Sequence, residues 1–171
     1  DNTTVYTDSL DRVYSIYYDP DFFVITSTKN PLDQVYRYEY DYDLNIIAVT
    51  DPRNKTTQYS YNDIGNITII TAPLESISTY EYWNYSLLST TTNARGYTTR
   101  YEFVGNGNLI TETQDWGGLN YIAGYEYDSY GLPIKITDAR GNVAEHQYDR
   151  HLNLIATTDT LGNTTVYTYD L

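Results

Sequence analysis

Few side chains in this 171-residue chain could carry out covalent chemistry. There is no Cys, so a thiol nucleophile, Cys-ligated zinc and a disulfide framework are all excluded. Ser and Thr are plentiful, but nucleophilic catalysis needs one beside an oriented base, and no Gly-x-Ser-x-Gly turn occurs. The two histidines, His146 and His151, stand five apart, a poor spacing for a metal pair. Asp19/Asp21 and Asp41/Asp43 are the densest carboxylate pairs, yet no Asp-x-Asp-x-Asp-Gly calcium loop is present. Solvated turn carboxylates are the preferred reading. No cofactor is expected, with calcium the one alternative. Carboxylate pairs suited to glycoside hydrolysis recur all along the chain and so mark no single site. The expectation is a non-enzymatic protein.

Modification and recognition remain. Five Asn-x-Ser/Thr sequons, at Asn2, Asn54, Asn66, Asn84 and Asn163, are candidate N-glycosylation sites of a secreted protein. Asn54 and Asn84 fall at expected turns, within reach of modifying enzymes. The chain has 22 Tyr, whose faces could stack on sugars, bound or attached. The preferred role for them is a stacked wall of side chains.

Charge and hydropathy narrow the partners. The net charge is −13, with only 10 scattered Lys and Arg, which disfavours nucleic acid. The longest aliphatic run is Ile46–Val49, far short of a membrane helix.

The elements that must position these residues repeat. Aromatics at Tyr18, Tyr40, Tyr61, Tyr82, Phe103, Tyr127, Tyr148 and Tyr169 are spaced by 22, 21, 21, 21, 24, 21 and 21 residues. A second series, Thr7, Thr28, Thr50, Thr71, Thr92, Thr113, Thr137 and Thr158, has the same period. Two series in step define about eight repeats of about 21 residues, each with two halves ending in a turn. Four residues after the Thr series come Asp11, Leu32, Asn54, Glu75, Gly96, Gly117, Gly141 and Gly162. Gly and Asn tolerate positive φ, and Asp side chains hydrogen-bond nearby amides. Leu32 is expected to yield its place to Asp33, and an altered turn is expected at Glu75.

Between turns lie Tyr, Thr, Ile and Val, the strand formers. Tyr pairs at i, i+2 (Tyr38/Tyr40, Tyr59/Tyr61, Tyr80/Tyr82, Tyr101/Phe103, Tyr125/Tyr127, Tyr167/Tyr169) must share one strand face. His146/Tyr148 and Ile16/Tyr18 fill the same slots. The acidic residues between them, Glu39, Glu81, Glu102 and Glu126, point the other way. On the partner strands, Val24, Ile46, Ile67, Leu88, Leu109, Pro133 and Leu154 form one expected column. The fold class is all-β: tandem hairpins in one continuous antiparallel sheet. Sixteen strands at ~4.8 Å would run roughly 77 Å, so a coiled or tubular sheet is expected rather than a flat one.

These residues resemble the YD-repeat, or Rhs-repeat, family, whose pattern is Tyr-x-Tyr-Asp-x-x-Gly-Asn, a short strand, then Thr-Asp-x-x-Gly-Asn. Tyr59-Ser60-Tyr61-Asn62-Asp63-Ile64-Gly65-Asn66 and Thr137-Asp138-Ala139-Arg140-Gly141-Asn142 match it best. Similar arrays occur in Rhs and insecticidal toxin-complex shells, wall-associated proteins and teneurin ectodomains. The resemblance implies an array that spirals into a hollow β-shell, often around a cargo, with no catalytic residue in the repeat itself. Two departures stand out. Such shells use many more than eight repeats, and the self-cleaving Asp-Pro-x-Gly-Leu segment of the toxin shells is not reproduced at Asp19-Pro20 or Asp51-Pro52.

Residues 1–171 therefore read as one repeat array. Asp1-Asn2 and Tyr169-Asp170-Leu171 fall within the same type of turn, which suggests a section of a longer array or a unit that stacks. The leading expectation is a building block of an extracellular fibre or surface stalk, self-associating end to end. A slice of a containment shell is the alternative, and a carbohydrate-binding adhesin the second alternative.

Overall fold

The computed structural model describes residues 2–84 and 86–170. Frequent Asp, Asn, Gly and Pro leave no stretch long enough for a helix, and all regular structure among the described residues is strand. The strands are β1 (Thr3–Thr7), β2 (Val13–Tyr18), β3 (Ile25–Lys29), β4 (Val35–Tyr40), β5 (Ile46–Thr50), β6 (Thr56–Tyr61), β7 (Ile67–Ala72) and β8 (Ser76–Trp83). They continue as β9 (Leu87–Thr92), β10 (Thr98–Phe103), β11 (Leu109–Gln114), β12 (Tyr121–Tyr127), β13 (Pro133–Thr137), β14 (Val143–Tyr148), β15 (Leu154–Thr158) and β16 (Thr164–Val166). Their order in the sheet is their order in the chain, with antiparallel pairing, so the all-β tandem-hairpin expectation holds. The chain divides into two compact units, residues 1–80 and 81–171.

Within each unit, the Tyr-end turns lie along one edge of the strands and the Thr-end turns along the other. This follows from antiparallel neighbours joined by short connections. The faces follow the two-residue alternation. In β6, Thr57, Tyr59 and Tyr61 are half-buried while Thr56, Gln58 and Ser60 are exposed. Tyr38, Tyr40, Tyr101, Phe103, Tyr125, Tyr127, His146 and Tyr148 are half-buried in the same way, with Glu39, Glu102 and Glu126 exposed between them.

There is almost no conventional core. Among the described residues only Ala48 and Ala156 are buried apolar side chains. They occupy equivalent places, opposite Glu39 and Gln147 on the acidic-column face, where a small residue is overhung by long neighbours. Stability must therefore come from the ladder, the turns and half-buried Tyr rings, each repeat leaning on the next.

A register shift recurs where six of the Tyr-end hairpins close. It falls at Tyr17/Tyr18, Glu39/Tyr40, Ser60/Tyr61, Glu102/Phe103, Glu126/Tyr127 and Gln147/Tyr148. The extra residues on the partner strands are Thr26, Ile47, Thr68, Ile110, Ile134 and Ile155. Such bulges bend and twist a strand locally. The expected apolar column needs one correction: Tyr18 pairs with Ile25, not Val24, because the turn at Asp19 is one residue longer, closing from Asp19 N–H to the Val24 carbonyl.

Candidate functional site

The recurring joint of the array is a five-residue turn and a tyrosine clasp. Eleven turns among the described residues share one backbone pattern. In the Asp138 turn, Asp138 N–H donates to the Asn142 carbonyl and Gly141 N–H to the Asp138 carbonyl, both at 2.9 Å. The Asp138 Oδ1 then accepts from Arg140 N–H at 2.8 Å and Asn142 N–H at 2.9 Å, and its Oδ2 from Asn142 Nδ2 at 2.8 Å. Asp8, Asp41, Asp51, Asp128, Asp149 and Asp159 accept the same two amides, as do the Asn30, Asn62 and Asn93 carbonyl oxygens. Asn side-chain bonds hold the carboxyls of Asp41, Asp138 and Asp159 below the usual carboxylate range. The backbone amide of Asn153 does most of this at Asp149, and the Arg12 side chain does at Asp8.

The fourth turn residue has positive φ throughout, from 58° at Asn54 to 90° at Gly107. Asp33 (59°), not Leu32, takes this place, as its neighbours' spacing implied. At Glu75 the turn is different, with Leu74 and Glu75 both at positive φ between the paired Ala72 and Ser76.

The clasp joins one hairpin to the next. β5 pairs with β6 only from Thr50↔Thr56 to Ala48↔Gln58, so the strands part toward the Tyr-end edge. Tyr61 reaches across that fork, and its hydroxyl donates to the Ile46 carbonyl at 2.7 Å. Tyr40 to Ile25 (2.8 Å), Tyr148 to Pro133 (3.1 Å) and Tyr169 to Leu154 (2.8 Å) repeat the contact, always fifteen residues back. Burial pushes the Tyr40, Tyr61 and Tyr148 hydroxyls above the ordinary tyrosine value. Phe103 fills the same slot without a hydroxyl.

The other candidate residues are dispersed. Asn2, Asn54, Asn84 and Asn163 are exposed and Asn66 is half-buried, so the sequons do not converge. Asn163 donates its amide to Asp159. Tyr59, Tyr80 and Tyr82 are half-buried, whereas Tyr167 and Tyr169 lie beyond β16 and are exposed. Asp19 and Asp41 each spend an oxygen on the amide two residues on, at Asp21 and Asp43. Among the described residues no three His, Cys, Asp or Glu gather as a metal site. His146 sits in its Tyr slot, and His151 Nδ1 is 3.9 Å from Asp149. Asp1 and Leu171, used above to compare the ends, lie outside the described residues.

The sequence profile of the RHS repeat matches residues 40–77, which span this turn and clasp. This segment is an RHS repeat. Tyrosine clasps and Asx turns recur on both sides of it. No curated protein matches the sequence. Among solved structures, the crystal structure of TcdB2-TccC3 without hypervariable C-terminal region is similar over 91% of this chain and 10% of its own, at 17% identity and a TM-score of 0.70. TcdB2-TccC3-Cdc42 is similar over 86% of this chain and 8% of its own, at 15% identity and a TM-score of 0.63. The TcdB2-TccC3 structure is similar over 92% and 9%, at 14% identity and 0.64. The likeness is one of fold, and this chain spans about a tenth of the length of those chains.

Proposed function

We propose that this RHS-repeat array is a wall segment of a hollow containment shell, a secreted or surface-exposed structural element without catalytic function. The observation that carries the reading is the fold likeness to TcdB2-TccC3 over nine-tenths of this chain, joined to the RHS repeat at residues 40–77. The single layer supports it too. Tyrosine hydroxyls clasp one repeat to the next, and among the described residues only two small apolar residues are buried, so the unit suits a wall better than a globular catalyst. The fibre or stalk, held together by end-to-end pairing, is the second reading, and the fold likeness favours the shell over it.

Electron microscopy of the native material tests the proposal. Closed hollow particles are expected. Continuous filaments with an axial period of one chain would overturn the shell and restore the fibre.

A further inference from the structure

The two tryptophans of this chain sit where the repeat is broken. Trp83 follows Tyr82 at the place where six of the other repeats have Asp or Asn. Trp116 lies in the loop between β11 and β12, which lengthens one period to 24 residues. That loop is fixed: Trp116 N–H donates to the Thr98 carbonyl at 2.9 Å, and Leu119 N–H to Asp115 Oδ2 at 2.9 Å. The Asp115 carboxylate also lies close over Gly118, where a Cβ would come within 2.6 Å of it and displace it.

Both indoles line one groove of about 680 Å³ in the second unit, within the size range of small-molecule sites. Trp83 is 46% exposed and Trp116 48% exposed, so both keep open surface. Between them stand oriented polar groups. The Arg100 guanidinium lies 5.2 Å from the centre of the Trp116 ring and 3.0 Å from Glu102. Thr111 donates to Glu102 at 2.6 Å, and Thr90 donates to Glu81 at 2.8 Å. Each carboxylate is thus held by a threonine from the neighbouring strand.

We infer that this groove is a carbohydrate-binding site for a neutral oligosaccharide. A pyranose ring has an apolar C–H face that packs on an indole and a rim of hydroxyls that both donate and accept. Arg100 supplies donors, and Glu81 and Glu102 supply acceptors, all held in place beforehand. One cation against two carboxylates leaves the groove net negative, which disfavours an anionic sugar. The half-buried tyrosine wall is a separate feature, and the inference does not depend on the shell reading.

Because the site holds all the tryptophan of the chain, its emission reports occupancy directly. The full chain is titrated with cellotetraose, maltotetraose, xylotetraose and chitotetraose. Saturable change in emission with at least one of them is expected, together with at least a tenfold loss of affinity in Trp116→Ala and in Arg100→Ala, measured by calorimetry. Circular dichroism establishes that each variant is folded, and Arg100→Ala, which lies outside the loop, carries the test if Trp116→Ala is not. No response to any of the four sugars overturns the inference. So does binding that survives both substitutions, or an emission change that follows protein concentration alone, which would make a second copy the occupant.

Discussion

Replacing Tyr61 by Phe isolates the clasp. The change removes one hydroxyl, keeps the half-buried ring and deletes the 2.7 Å bond to the Ile46 carbonyl. A neutral hydrogen bond contributes about 1 kcal/mol net, and a carbonyl at a half-open fork can recruit water, so the full penalty of a buried orphan does not apply. Tyr61→Phe should therefore cost about 1 kcal/mol in urea unfolding, roughly a fivefold drop in the folding equilibrium. The chain contains the converse experiment. Phe103→Tyr should restore the missing contact, with the Leu88 carbonyl fifteen residues back as acceptor, and stabilise by a similar amount. The same logic has a pH signature. Burial raises the Tyr61 value above the ordinary one, so its stabilisation is complete below pH ~10 and is lost as pH rises through the higher folded value. Tyrosinate absorbance measured alongside circular dichroism should show unfolding that tracks the late-titrating tyrosines. An unchanged urea midpoint in Tyr61→Phe, together with destabilisation in Phe103→Tyr, would refute the clasp.

The turns predict the acid limb. The carboxyls of Asp8, Asp41, Asp138, Asp149 and Asp159 are held low, so their contribution is present above the ordinary carboxylate value and disappears as pH falls through the depressed ones. Circular dichroism against pH should show acid unfolding, and Asp138→Asn, a residue already used at Asn30, Asn62 and Asn93, should keep the fold while weakening that dependence. Gly141→Ala should cost about 1 kcal/mol in thermal denaturation, because φ is 82° while nothing lies within 4 Å of the added Cβ; Gly141→Asn should cost less, as Asn54 shows at the same place. Expression through a secretory pathway followed by mass spectrometry should find sugar on Asn54 and Asn84 in preference to Asn66 and Asn163, because Asn66 is half-buried and the Asn163 amide is engaged with Asp159.

The repeat was legible because its signals are local. Asp or Asn at the start of a turn and Gly or Asn three residues on encode the turn chemically, and alternation encodes the faces. Even the departures at Asp33 and Glu75 could be read from spacing. Leu44 and Leu152 could not, since a branched residue at φ 63° and 67° is held there by the turn's hydrogen bonds and not by its own preference. The bulges left no trace either, because Ile47 and Ile134 look like ordinary strand residues and only pairing reveals them as extra. The tryptophan groove was missed for the opposite reason. Its signals, Trp83 in an Asp slot and the 24-residue period, look like noise in a repeat until the strands bring Glu81, Arg100 and Trp116 onto one face.

The scant core among the described residues explains the acidity this chain tolerates. In a two-layer protein an unpaired carboxylate near the interior is costly, so negative charge is confined to the outside. Here the described residues form one sheet layer, and most carboxylates either serve as turn acceptors or stand in the solvated column of Glu39, Glu102 and Glu126. The turn carboxylates are useful as anions, since each accepts backbone amides that would otherwise need another partner. Lys135 against Glu126 at 2.7 Å offsets part of the column, and Thr90 and Thr111 take up Glu81 and Glu102. The same construction makes each repeat depend on its neighbour's carbonyls and not on a shared interior. Such an array can be lengthened one repeat at a time without rebuilding a core, which is the property a large enclosing wall requires.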